Sequence, residues 1–270
     1  MKYQASLPEH NDNISHEHPL KDFVLILAGL SAAILIGYLL LGWLVDVVVD
    51  RMGPQTEARL TQLMAWTPPA SDAAMRGREA WVQGLVDGMR ACAGVSTPVT
   101  VRVSRSDTPN AMVAPGGVVI VHSALFDGVR SENGMAFVLA HELSHMAHRD
   151  HLRALGRSLV LVAAATLLTG DGSGAASVLA PARYLGESGY SRGRESAADA
   201  KALAILQCRY GHAGGATEFF EGLQREEGDM PALAHYLASH PSMGARIAAL
   251  QAAMREAGMR QGERRPLPRF

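Results

Sequence analysis

The stretch SENGMAFVLAHELSHMAHRD, residues 131–150, decides how the rest of the chain is read. Met135, Val138, Leu139, Leu143 and Met146 recur at the three- and four-residue spacing of a helix, and Ser131 stands before them as a candidate N-cap. Inside that apolar frame sit His141, Glu142 and His145. Residues four apart on a helix lie one above the other, so the two imidazoles can grip a single ion. Glu142, about 100° round the helix from His141, is placed to take a proton from a water held at that point without being a ligand itself. The bland alternative is a pair of buried histidines satisfied by carbonyls. It is disfavoured because two histidines and a glutamate in an apolar frame are costly without a partner.

A catalytic site of this kind needs three protein ligands and one open position. Glu195 is the best third candidate, because it opens an otherwise apolar helix and has Asp199 one turn later on the same face. Glu195 would ligate, and Asp199 would accept a hydrogen bond from the far nitrogen of a ligand histidine, fixing its tautomer. Taken alone, such a pair is more often a solvated helix face; downstream of the two histidines it becomes the leading option. His148 and His151 follow the motif closely and read as structural or surface residues.

Outward from this centre, Gln55–Ala65 reads as a short helix broken at Thr67-Pro68-Pro69, and a second helix runs from a cap at Ser71 or Asp72 to Ala93, stopped by Gly94. Val99–Val103 alternates as an edge strand. Asn110–Ala114 and Val118–Val121 read as two strands around Pro115-Gly116-Gly117, where the glycines supply positive φ. The apolar stretch Leu159–Leu168, ended by Gly170, Asp171, Gly172 and Gly174, is too short to cross a bilayer alone and predicts a buried or interfacial helix, with a re-entrant or second membrane segment as the alternative. Further helices are expected over Arg194–Tyr210, Gly215–Glu227, and from Pro241 to Ala257.

At the N-terminal end, residues 1–22 are polar, carry His10, His16 and His18, and predict a disordered tail. Phe23 to Val45 contains no charge and matches the roughly 20 residues a membrane-crossing helix needs. It is longer than a signal-peptide core and no clear cleavage site follows it. The expected organisation is a single-pass anchor over 23–49, contacting membrane lipid through 23–45; a linker over 50–70; a catalytic domain over 71–258; and a disordered basic tail over 259–270. Lys2 and Lys21 before the segment balance Arg51 and Arg59 after it. Lys21 at the membrane edge, with Asp46 and Asp50 ahead of Arg51, tips the expectation towards a catalytic domain on the non-cytoplasmic side. Net charge is −1 with 19% charged residues, which gives no field for nucleic acid. Cys92 and Cys208 form no C-x-x-C pair; two buried apolar cysteines are the leading reading, and the sequence leaves open whether they pair. Nothing in the sequence fixes an oligomeric state.

Four blocks in order resemble metallopeptidase family forty-eight, the HtpX and CAAX prenyl protease type: Asn110-Ala111 through Gly117, His141 to His145, Glu195 to Asp199, and Ser239-His240-Pro241-Ser242 followed by Arg246-Ile247. The likeness covers roughly residues 55–250. It implies an α+β, mostly helical, zincin-like domain with a small β-sheet, here behind one transmembrane helix, and one zinc ion per chain held by His141, His145 and Glu195. By that resemblance Asn110 and Ala111 contact the substrate backbone, although Asn110 after Pro109 would also suit a turn. His240 is the candidate for an oxyanion donor, for a fourth ligand that restrains the enzyme, or for a plain residue ahead of Pro241. Arg246 pairs either with a site carboxylate or with the surface. The single span departs from the several spans of HtpX-like members and points to the single-anchor type. The activity implied is endopeptidase action on protein or peptide substrates in quality control; the alternative is a zinc-containing assembly module that holds client strands without cutting them.

Overall fold

From Pro19 to Arg51 the chain forms one helix, α1, whose apolar side chains are exposed over most of its length, Val45 and Val47 being half-buried and Val49 buried near its end. It is long and apolar enough to cross a membrane. Asp22 in its first turn and Arg51 in its last suit the helix dipole. The computed structural model describes residues 19–63, 70, 72–170, 191–225 and 243–270. The tail histidines, Thr67–Pro69, the glycines after Gly170 and His240 lie outside the described residues. Two compact units, Met1–Val47 and Val48–Phe270, divide the chain; the second carries the site.

In that second unit, α2 (Pro54–Leu63) is followed by a 3₁₀ turn, Ala73–Met75, capped by Asp72 Oδ1 on the Ala74 N–H at 2.9 Å, and by α3 (Arg76–Ala93), which Gly94 ends in the left-handed region. Val82, Leu85, Val86 and Met89 bury one face of α3. The sheet consists of β1 (Thr100–Ser104), β2 (Ala111–Ala114) and β3 (Val118–His122) in the order β1-β3-β2, with β1 parallel and β2 antiparallel to β3. Gly116 and Gly117 have φ of 81° and 74°, and a Cβ on Gly117 would sit 2.8 Å from the Pro98 carbonyl oxygen, so the turn needs glycine twice over.

The outer edge of β1 is filled by α3: Gln83 receives the Val101 N–H at 2.8 Å and donates to the Val99 carbonyl at 2.9 Å, while Glu79 receives the Val103 N–H at 3.1 Å. Edge strands present unpaired backbone groups that proteins usually cover; here one edge is covered by side chains. On the other, His122 N–H donates to the Asn110 carbonyl, so by antiparallel alternation Ala111 and Val113 turn their backbone groups away from β3.

A short helix α4 (Leu125–Gly128) leads to α5 (Glu132–Ala147), α6 (Asp150–Thr169), α7 (Arg192–Tyr210), α8 (Glu218–Arg225) and α9 (Met243–Glu256). The result is the expected mostly helical α+β fold with one small sheet. Residues 133–146 of α5 are all buried, because α7, α3, β2 and α8 pack around it. Its N-terminus is capped several times: Ser131 Oγ takes the Gly134 N–H at 3.0 Å, and buried Glu218 takes the N–H groups of Arg130 and Ser131 at 2.6 and 2.8 Å. Gly134 is what admits Glu218, since a Cβ there would meet its Oε1 at 2.5 Å.

Three expectations are corrected. The helix anticipated from Ser131 to Asp150 breaks at Arg149, where φ of 56° turns the chain into α6; the apolar run 159–168 is therefore the second half of a 20-residue helix. Cys92 and Cys208 are not separate buried thiols but a disulfide joining α3 to α7; two distant cysteines carry no pairing signal until the helices meet. The basic C-terminal tail is ordered: Arg265 C=O receives the Glu132 N–H, Arg264 pairs with Glu218, and Phe270 stacks edge-on against Trp81 and Phe126. Its backbone satisfies a donor at the start of α5 that no intrahelical partner reaches, which composition alone hides.

Candidate metal centre

Helix α5 brings His141 and His145 to one point because they are four residues apart, and α7 lays Glu195 across them. His141 Nε2 and His145 Nε2 are 3.0 Å apart, and Glu195 places Oε2 3.4 Å from the first and Oε1 3.3 Å from the second. All three residues are buried. Ligands at zinc-type bond lengths arranged as a tetrahedron stand about 3.3 Å from one another; each ring nitrogen has one Glu195 oxygen near that distance, and one donor atom from each residue lies within 4.8 Å of the others, close enough for the three to hold a single ion.

The outer nitrogens are pinned. His141 Nδ1 lies 2.9 Å from Asp199 Oδ1, and His145 Nδ1 lies 2.8 Å from Asp150 Oδ2. A ring that donates from Nδ1 to a carboxylate turns its Nε2 lone pair inward; two lone pairs facing each other at this distance repel unless a cation or proton lies between them. Asp199 is in turn held by both arms of Arg246, at 2.6 and 2.8 Å, and Arg246 also reaches Glu195 at 3.0 Å and lies over the Phe220 ring at 4.5 Å. Arg194 pairs with Asp150.

The charges agree with this geometry. Asp150, Glu195 and Asp199 are buried and pair with two guanidiniums, Arg194 and Arg246, and Glu142 is buried beside His141, so carboxyl groups outnumber the guanidiniums by two, a balance that suits a divalent cation if the imidazoles are neutral. Burial works against protonation of His145, yet its hydrogen bonds to Asp150 and Glu195 and the charges of Glu142 and Glu195 outweigh it and lift its pKa to about 9. Burial also opposes ionisation of Asp199 and Asp150, and their contacts with His141 and Arg246, and with His145 and Arg194, hold both carboxyls below the usual range. The local field therefore favours positive charge between the rings.

Glu142 is buried and opens, with His141, onto a small cavity bounded by Ala111 of β2, Phe137, Val138 and Phe220. Asn110 precedes it, fully buried, its side-chain oxygen receiving the Ala111 N–H at 2.9 Å. Glu195 also borders a cavity of about 300 Å³ lined by Asp199, Arg246, Leu203, Ala249 and Leu250. The structure thus brings together His141, Glu142, His145, Glu195 and Asp199, with Asn110 and Ala111 beside them. His151 stands apart, buried against Glu57. Sequence reasoning missed Asp150. It lies five residues after His145, off the helical period, and only the left-handed turn at Arg149 returns it to that ring. For Arg246 the pairing is with site carboxylates.

A family model described as peptidase family M48 matches residues 76–254. The mitochondrial metalloendopeptidase OMA1 of Schizosaccharomyces pombe is 30% identical over 168 residues, covering 59% of this chain and 48% of that protein. The metalloprotease YcaL of Escherichia coli K12 is 33% identical over 139 residues, 49% of this chain and 54% of YcaL. The beta-barrel assembly-enhancing protease of Yersinia pestis is 34% identical over 125 residues, 42% of this chain and 26% of its own length. The chain spans about half or less of the length of these relatives.

Proposed function

Because the chain belongs to peptidase family M48, a family of metal-dependent proteases, we propose that it is a zinc endopeptidase of protein substrates, anchored by α1 with its catalytic domain outside the cytoplasm. The observation that carries this reading is the meeting of His141, His145 and Glu195, one donor atom from each within 4.8 Å of the others, with both outer ring nitrogens held by carboxylates. Two histidines and a glutamate are a zinc donor set. The chemistry zinc supplies there is Lewis-acid polarisation of the scissile carbonyl and acidification of water.

The chain's own residues do the rest. Glu142, on the β2 side of the site, takes the proton of the attacking water and passes it to the leaving amine. An extended substrate segment pairs with the outward Ala111 carbonyl and the Val113 backbone groups, adding a strand on the side of β2 away from β3, while the Ala111 N–H stays with Asn110 Oδ1; Asn110 and Ala111 are its first contacts. Asp199 keeps the His141 ring in register, and His240 is our candidate for the oxyanion donor or for a restraining fourth ligand. Membrane anchoring rests on the length and apolar character of α1. The non-cytoplasmic side is supported by the Cys92–Cys208 disulfide, which is at home in oxidising compartments. The relatives' printed names, metalloendopeptidase and assembly-enhancing protease, suit clearance of surplus or misassembled chains at a membrane.

The test is casein cleavage by the detergent-solubilised full chain. Glu142→Ala should lower turnover about 10²–10⁴-fold while keeping the metal, and a zinc chelator should abolish cleavage in the wild type. A zinc-loaded wild type that binds unfolded strands and cuts none would make the chain an assembly module instead.

A further inference from the structure

Arg149 is the one non-glycine residue with positive φ among the described residues, at 56°. A left-handed backbone is unfavourable for any residue carrying a Cβ, and glycine would adopt it freely. An arginine at this place therefore needs its side chain accounted for. The guanidinium donates to the Val49 carbonyl at 3.0 Å and to the Met52 carbonyl. Those oxygens lie where α1 ends, at Arg51. The last carbonyls of a helix lack the i+4 donor of interior ones, the Val49 carbonyl here also taking the Met52 N–H at 3.2 Å, and the negative end of the helix dipole favours a cation there.

The same turn is what brings Asp150 to His145. After α5 stops at Ala147, the left-handed step at Arg149 folds the chain back so that Asp150, the first residue of α6, reaches the His145 Nδ1. Neighbouring contacts run along the same seam: Arg153 pairs with Asp50, His151 Nε2 lies 3.4 Å from Glu57, and Leu155 packs on Leu60. Segment 49–60 and the first turns of α6 are thus joined at four places, one of which holds the strained residue.

We propose that Arg149 is a positioning residue for the metal centre: by binding the carbonyls of Val49 and Met52 it holds the left-handed turn that presses Asp150 against His145. Metal retention then depends on residues 49–52, which are remote from the ligands. The proposal rests on the reading of His145 as a ligand.

The experiment measures zinc affinity of the full chain by competition with a chromophoric chelator, with circular dichroism confirming that each variant is folded. Losing an outer partner of a metal-bound histidine typically weakens binding about 10–100-fold, and Asp150→Asn should fall in that range. Arg149→Ala should match it. Arg149→Gly, which holds the turn unaided, should recover most of the loss. Combining Arg149→Ala with Asp150→Asn should cost no more than Asp150→Asn alone, since both act through one contact. Should Arg149→Ala fail to fold, Arg149→Lys takes its place, with a smaller loss that follows the same non-additivity. The proposal is overturned if Arg149→Ala binds zinc like wild type, if Arg149→Gly is no better than alanine, or if the two losses multiply. A wild-type chain that takes up no zinc would remove the ligand reading first and this proposal with it.

Discussion

Replacing Arg246 with alanine should destabilise the second unit severely, and the structure lets the size be worked out. Arg246 is only 5% exposed, makes a two-armed contact to Asp199 and a third bond to Glu195, and covers the Phe220 ring. Its removal leaves two carboxylates buried together. Breaking a buried ion pair by deleting one partner costs about 3–5 kcal/mol. In a body of about 220 residues, each kcal/mol moves the melting temperature by about 2–4 °C, so a fall of roughly 6–20 °C is expected. Lysine, which keeps the charge and loses the fork, should recover less than half of it. The assay is thermal unfolding of the solubilised full chain, followed by tryptophan fluorescence, in chelator and then in zinc. Zinc should reduce the deficit, because a cation beside Glu195 replaces part of the missing charge. An alanine variant melting within about 2 °C of wild type in chelator would refute the reasoning.

Two further outcomes follow from particular contacts. The Cys92–Cys208 bridge closes a separation of 116 residues, so Cys92→Ser with Cys208→Ser should cost about 2–5 kcal/mol; reductant should bring the wild-type melting temperature down to that of the double variant and leave the double variant unmoved. Burial raises the Glu218 carboxyl, but the N–H groups and hydroxyl at the start of α5 together with Arg264 outweigh it and hold its pKa below the usual carboxylate range. A lowered folded pKa means stability that is complete above the unfolded value and lost as pH falls through the folded one. Acid titration of unfolding should accordingly show a shallower decline below about pH 4.5 in Glu218→Gln than in wild type.

The parts of this protein that were legible in its sequence are those fixed by short-range spacing. Two histidines at i and i+4, Asp199 one turn after Glu195, glycines at a hairpin and an uncharged run of helix length each declare themselves within a few residues. What stayed hidden depends on long-range meetings. Asp150 reaches His145 only through a backbone angle at Arg149; Cys92 finds Cys208 only when α3 packs on α7; the edge of β1 is covered only because Gln83 and Glu79 face it. The C-terminal residues look like a solvated basic tail until Glu132 and Glu218 supply partners.

The most direct test of the account is metal analysis of the purified full chain by mass spectrometry. One zinc per chain is expected in wild type and in Glu142→Ala, with near-complete loss in His141→Ala and in Glu195→Ala. Wild type without metal, or a Glu195→Ala chain that keeps its zinc in full, would contradict the centre described above.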